Sequence, residues 1–543
     1  MVERAFSLRK NDYIHIPVHG GDPKTDGYYY VEVWANGKKQ TEIYIGITPP
    51  NSAFDFYVPL RARRFGADEI TLICREEGAP ENLFEGVLTG GSMGEEKLLY
   101  PNLYSEDVRQ QLHFSPARGW TNDANGLFYQ DAKFNLYFQH APFGNHHNGV
   151  NISWGHAVTT DGVHYKEFDD AILVRDWDKH IASGSALVDK YNLSGMGSNT
   201  IIAAYTDLDS ITYHGREHKR VGVCQQLLYS TDGGMTFNYF DFSPVLVAPD
   251  GENWRDPKLL QLDEKTLVLA VYETYENENC ISFYRSHNLR DWEFCSRIMN
   301  FYECPDIFKL RVEETGEELW VVYGGKGQYS VGRFENFKFE AINSGEFVDY
   351  GAAVYAGQSY NNYPSEEKRY FTAWIGESSH RRYHVGEPLN KVGFAHCLSI
   401  LSSFTLHKTE LGYRLFRKFV NNFDSLRKNP RPVRYWGSAD IDPQTEMVLT
   451  LKPDRDVAIF AAGQGFKYIA KENKVISTSF KEYTFAKEGE KTVRIIADRR
   501  STEISINDEI IMTFSVALPN FFWVETDYYV EGTLYDLESI WSE

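Results

Sequence analysis

The chain of 543 residues carries 76 Asp and Glu against 56 Lys and Arg, a formal charge of −20, with 42% hydrophobic and 15% aromatic residues. That apolar content is enough for buried cores and excludes a disordered chain, and the length suggests about two to four domains. The acidity argues against a nucleic-acid or anionic-membrane partner, whereas a neutral ligand meets no such repulsion.

Residues 1–105 read as a separate acidic, β-prone block, with strand-like runs at 28–34 and 41–47. A small β-rich accessory domain is expected there, tied to the rest by a flexible connection at Gly90-Gly91-Ser92. It contains no catalytic constellation, and its role could be carbohydrate contact, a homo-oligomer interface or packing. The first residues lack an apolar signal core, and no run approaches the ~18 residues that span a bilayer. A cytoplasmic location follows as the expectation, with a trimmed secreted form as the alternative. The six cysteines, Cys74, Cys224, Cys280, Cys295, Cys304 and Cys397, form no CxxC pair, so reduced thiols are expected and no metal site.

From 106 to 420 the chain is a succession of short aromatic-rich strands with almost no helical periodicity. Three echoes of one turn, Thr160-Asp161-Gly162, Thr231-Asp232-Gly233 and Ser286-His287-Asn288, each run on to an aromatic residue. They recur roughly every 55 to 70 residues, which suits large β-propeller blades, about five of them over this length. Residues 421–435, with Pro430 and Pro432, read as a linker. From 436 to 543 regular alternation predicts a β-sandwich. The expected fold class is therefore all-β, a propeller flanked by an N-terminal β domain and a C-terminal sandwich.

The chemistry concentrates in three stretches, Trp120-Thr121-Asn122-Asp123-Ala124-Asn125-Gly126, Trp254-Arg255-Asp256-Pro257 and Tyr302-Glu303-Cys304-Pro305. Taken alone, Asn-Asp-x-Asn-Gly is also what an ordinary hairpin turn looks like. Three separated carboxylates in the order Asp, Asp, Glu are more specific. These stretches resemble the signatures of glycoside hydrolase family 32, the invertases, levanases, inulinases and related fructosyltransferases. A weaker echo of the family lies in Ala497-Asp498-Arg499-Arg500-Ser501-Thr502-Glu503.

The resemblance implies a five-bladed propeller and a retaining β-fructosidase acting on terminal β-D-fructofuranosides without a cofactor or metal. It implies Asp123 as nucleophile, Glu303 as general acid/base and Asp256 as the residue that holds fructose hydroxyls. Asn122, Gln139, Trp154, Ser183, Ser185, Arg255 and Tyr355 would bind substrate. A fructosyltransferase, or a carbohydrate-binding relative without activity, are the alternative readings. Apolar neighbours of Glu303 are expected to keep it protonated, and amides beside Asp123 to keep it charged.

The chain departs from the family at Thr121, Ala124, Ala182 and Ala353, and carries an unusual His146-His147 segment. Where invertases hold glucose with a carboxylate, this chain has Ala353, so sucrose is expected to be a poorer substrate than a fructan. A metal reading of His146 with His147, or of His214 with His218, lacks acidic or thiol ligands at suitable spacing.

Overall fold

A computed structural model describes residues 1–20, 27–50, 52–145, 151–175, 179–209, 222–249, 253–376, 392–516 and 521–542. His146, His147, His214 and His218 lie outside the described residues. No helix among the described residues is long and apolar enough to cross a membrane.

Between Gly119 and Phe419 five sheets of four or five strands follow one another in chain order, antiparallel throughout except that Phe394–Ala395 returns to join the first sheet in parallel beside Gly119–Gln130. Their first strands are Gly119–Gln130, Lys179–Asp189, Arg255–Gln261, Asp306–Arg311 and Val354–Ser359, here the inner strands of blades 1 to 5. Inner strands of successive blades contact one another, and that of blade 5 returns to blade 1, so the sheets close into a five-bladed propeller. Both faces of a blade pack on its neighbours. This explains strands such as Leu267–Tyr275, buried over nearly their whole length, where a one-sided sheet would alternate.

The three sequence echoes are one structural element. Each joins the third strand of blades 1, 2 and 3 to the outermost strand. Asp161, Asp232 and Asn288 each accept backbone N–H groups from residues two to four further on, the pattern of an Asx turn. Ring closure is tied by Asn361 of blade 5, whose N–H bonds Leu127 O at 2.9 Å while its carbonyl accepts Tyr129 N at 2.9 Å. Its side-chain amide reaches Ala186 O of blade 2 and Leu259 O of blade 3. The buried pair Lys258 and Asp306, 3.0 Å apart, joins the inner strands of blades 3 and 4, and both side chains also bond the backbone of Ser359 in blade 5.

The expected linker at 421–435 is not one. Asn421–Leu426 is a short 3₁₀ turn with Phe423 and Leu426 in the core, and Arg427–Tyr435 is an edge strand paired with Val530–Leu537. Pro430 and Pro432 mislead because an edge strand, here with a register shift between Lys428 and Arg431, tolerates residues that donate nothing. The two six-stranded sheets of the C-terminal sandwich enclose their own core. One of them lies against the propeller.

At that interface His113 is fully buried, its Nδ1 2.8 Å from Asp498 and its Nε2 3.0 Å from Glu503. Asp498 also accepts Gln111 N and Leu112 N, and Glu503 accepts Ile400 N. The family echo at 497–503 is thus the docking seam between sandwich and propeller, with no contact to Asp123, Asp256 or Glu303 among the hydrogen bonds and ion pairs of Asp498 and Glu503.

The N-terminal residues form a four-stranded and a three-stranded sheet around one core. The glycine pair expected as a loose connection is ordered, since Leu88–Gly90 is a strand paired with Tyr13–Val18. The domain clamps blade 1: Asn151 bonds both backbone groups of Tyr44, Thr41 Oγ1 donates to Val174 O, and Tyr13 donates its hydroxyl to Asp169.

Candidate active site

Inner strands of regular pleat would alternate their side chains, and both sets would be consumed by blade packing. Bulges break that rule where the candidate residues stand. The pairing of inner and second strand shifts register between Thr121 and Ala124, between Ile181 and Gly184, between Arg255 and Lys258, and between Tyr355 and Gln358. Asp123, Ser183, Asp256 and Tyr355 lie at these breaks, and a bulge re-aims a side chain out of the ladder. Asp256, Glu303 and Cys304 also hold positive φ of +63°, +52° and +40°. Such left-handed backbone costs of order 1–3 kcal/mol for a non-glycine residue and persists where the surroundings enforce it.

The three carboxylates come together around Cys304. Its thiol lies 3.6 Å from Asp123 Oδ2 and 3.5 Å from Asp256 Oδ2, and its N–H donates to Asp256 at 2.9 Å. Asp123 accepts Ser183 Oγ at 2.6 Å on one oxygen and Asn122 Nδ2 at 3.2 Å on the other. Gln139 fixes both donors, accepting from Asn122 at 3.0 Å and donating to Ser183 at 2.9 Å. Glu303 is gripped by Arg255 Nη2 at 2.6 Å and by the Tyr355 hydroxyl. Arg255 itself lies over the Tyr272 ring at 4.5 Å.

Electrostatics reverse part of the sequence reading. Glu303 stands in an ion pair rather than an apolar pocket, because Arg255 and Tyr355 reach it from blades that its flanking sequence does not reveal. Asp123 keeps some surface open to the funnel but lies deep in it. Burial lifts its carboxyl above the ordinary range, the Ser183 and Asn122 donors pull it down, and Glu303 pushes it up. Burial pushes Asp256 up to about 7 against the opposing pull of Arg255.

Two expected substrate contacts are internal struts. Trp154 has no exposed surface, donates its indole N–H to Ala182 O at 3.0 Å and packs on Tyr137. Ser185, also buried, accepts Leu259 N and donates to Pro257 O, so it joins blade 2 to blade 3. Its parity is flipped relative to Ser183 by the intervening Gly184, whose missing Cβ makes room for Ala204 O. Ala353 is likewise buried, with its backbone bonded to Thr513 and Gly376 and its side chain among Ile375 and Cys397. Position 353 therefore abuts the sandwich seam and does not face the mouth.

Other residues went unassigned in the sequence. His396 stands edge-on to Trp120 at 4.1 Å and to Trp374 at 5.3 Å, and Trp374 meets Tyr355 at 6.4 Å. These four rings form one wall beside Glu303. Of these four, Tyr355 is an expected substrate residue and Trp120 has its place in the first motif; Trp374 and His396 sit in stretches without a signal. Cys304 was visible in its motif, yet its bridging of two carboxylates was not. Among the described residues no group of three or more His, Cys, Asp or Glu side chains could hold a metal.

Five converging blades bring three carboxylates to one mouth, and comparison with known proteins supplies the family. Residues 113–416 match the model of the glycosyl hydrolases family 32 N-terminal domain. The chain belongs to glycoside hydrolase family 32. It is 30% identical over 370 residues to a levanase of Bacillus subtilis, covering 64% of this chain and 51% of that one. It is 31% identical over 323 residues to invertase 2 of Saccharomyces cerevisiae, covering 55% and 58%. The chain spans about half the length of the curated relatives it matches. The crystal structure of exo-inulinase from Aspergillus awamori superposes with a TM-score of 0.68 at 23% identity, over 81% of this chain and 100% of that one.

Proposed function

We propose that this chain is a retaining β-fructosidase that releases fructose from the non-reducing ends of levan- or inulin-type chains, fructo-oligosaccharides or sucrose. The observation that carries this reading is the convergence of Asp123, Asp256 and Glu303 from three blades around one thiol. Glycoside hydrolysis needs a proton donor for the leaving oxygen and a carboxylate for the anomeric carbon. In the first step Asp123 attacks that carbon, the bond to the leaving oxygen breaks, and Glu303 delivers its proton to that oxygen. Water then gives a proton back to Glu303 and attacks the same carbon, freeing Asp123.

The neighbours fit these roles. Ser183 and Asn122 hold the Asp123 oxygens in one orientation, which lowers the cost of reaching the attack geometry. Arg255 and Tyr355 orient Glu303. Asp256, fixed by Cys304 N–H, has a second oxygen to accept fructose hydroxyls. Six free cysteines support a reducing, cytoplasmic compartment, which cell fractionation tests. Incubation with sucrose, a β-2,1 fructan and a β-2,6 fructan tests the function: free fructose from at least one is expected, and no product from any of them overturns the reading.

A further inference from the structure

Among the described residues, the C-terminal sandwich leaves one face uncovered. Its first sheet is enclosed, with Ile496 and Ile511 buried in the propeller core and Met447, Leu449 and Ile495 in the sandwich core. The outer face of the second sheet is on the far side. Its register places Trp523 opposite Ser438 on one neighbouring strand and opposite Phe460 on the other. On strand Phe521–Glu525 the alternation is strict, with Phe521 and Trp523 pointing outward. Trp523 is 46% exposed on this face, and Trp436, 63% exposed, and Tyr529, 54% exposed, stand 6.5 Å apart on the connections that join this sheet to the first, with Trp436 donating its indole N–H to Thr526 O at the same end. Ser438, the small residue opposite Trp523, leaves that ring standing clear.

This aromatic strip runs into a cavity of about 580 Å³. Glu525, Ala458 and Lys467, which line the cavity, lie in the sheet rows next to Trp523 and Phe460. Asp454, Asp456, Arg455 and Asp527 complete its polar wall, with Arg455 and Asp527 paired at 2.7 Å. Rings that accept the CH face of a sugar by dispersion, beside carboxylates and cations that bond its hydroxyls, suit a neutral polyhydroxylated chain. Charge narrows the occupant. The wall holds four carboxylates against two cations on a chain of −20, so a second copy presenting the same acidic patch about a two-fold axis would be repelled, as would an anionic polymer.

We propose that this face is a carbohydrate-binding site, separate from the catalytic funnel, that holds the body of a β-fructan chain while its end is processed. The identity of the polymer rests on the function proposed above. Its test uses the full chain carrying Asp123→Asn, so that polymer is bound without turnover, and measures affinity for levan and for inulin by affinity electrophoresis and calorimetry. Adding Trp436→Ala with Trp523→Ala should weaken binding of at least one polymer by at least ~10-fold, equivalent to about 1.4 kcal/mol. In the chain with Asp123 intact, the same pair of substitutions should leave kcat/KM on a fructo-trisaccharide unchanged. Trp523→Phe, which keeps a ring, should restore part of the affinity. Undiminished binding in the double variant overturns the proposal, and so does a loss of dimer on sedimentation with polymer affinity intact, which would make the face a subunit interface. Tryptophan-dependent polymer binding by a chain that hydrolyses none of the fructans would sustain this site while overturning the proposed activity.

Discussion

Replacing His113 by Asn should uncouple the sandwich from the propeller in a pH-dependent way. Burial opposes a charge on His113, but the hydrogen bonds it donates to Asp498 and Glu503 more than reverse that and push it up to about 9. Relative to the ordinary value of 6.5, this is worth about 3 kcal/mol of folded-state stability. The bonus is complete below pH 6.5, where both folded and unfolded chains carry the proton. It is lost as pH rises from 6.5 through 9, where only the folded chain still holds it. His140, pushed up to about 9 by Asp170 against its burial, contributes to the same window, so the slope should shrink by roughly half rather than vanish. At pH 6 the variant leaves two buried carboxylates without their cation, a loss of about 3–5 kcal/mol. At about 2.1 cal/mol/K per residue over the roughly 430 residues that share this seam, the midpoint should fall by about 3–5 °C. Thermal unfolding by calorimetry from pH 6 to pH 10 checks this. Parallel pH profiles for wild type and variant would refute the assignment of His113 as the charged keystone.

Ser183→Ala removes the 2.6 Å donor to Asp123 and frees Gln139, so kcat/KM should fall roughly 10-fold with little change in melting midpoint, in line with about 1–1.5 kcal/mol for one hydrogen bond. Steady-state kinetics that match wild type would deny Ser183 its orienting part. Ala353→Asp should destabilise the chain and not improve sucrose turnover, because it buries a carboxylate between Ile375, Cys397 and the sandwich; a gain in kcat/KM for sucrose with unchanged midpoint would show that position 353 reaches the mouth after all. Tyr355→Phe should lower kcat more than it raises KM, since the hydroxyl touches Glu303 and not the bulk of the substrate wall; an effect confined to KM would contradict that.

The repeated turn and the three carboxylates were legible because their chemistry is local: an Asx turn needs its Asp or Asn, and each acid sits in its own motif. Residue parity was not. Ser183 and Ser185 are two apart and would share a face in a regular strand, yet the bulge at Gly184 sends one to Asp123 and the other between blades. Trp154 and Ala353 misled for a related reason. In a propeller both faces of a blade are packed, so neither alternation nor residue type separates the wall of a funnel from the interior of a blade. The environment of Glu303 was also out of reach, because Arg255 and Tyr355 come from distant segments. Pro430 and Pro432 looked like linker punctuation, and only the pairing with Val530–Leu537 identifies an edge strand.

The central claim is a covalent fructosyl ester on Asp123 formed with Glu303 as proton donor. The most direct measurement combines Glu303→Gln with a fructoside whose leaving group needs no protonation, followed by peptide mass spectrometry. Without its acid/base residue the variant should still complete the first step and then stall, because no base activates water for the second. A fructosyl adduct on the peptide containing Asp123, absent when Asp123→Asn is added, is the predicted result. Rapid release of fructose with inverted anomeric configuration and no adduct would contradict the account.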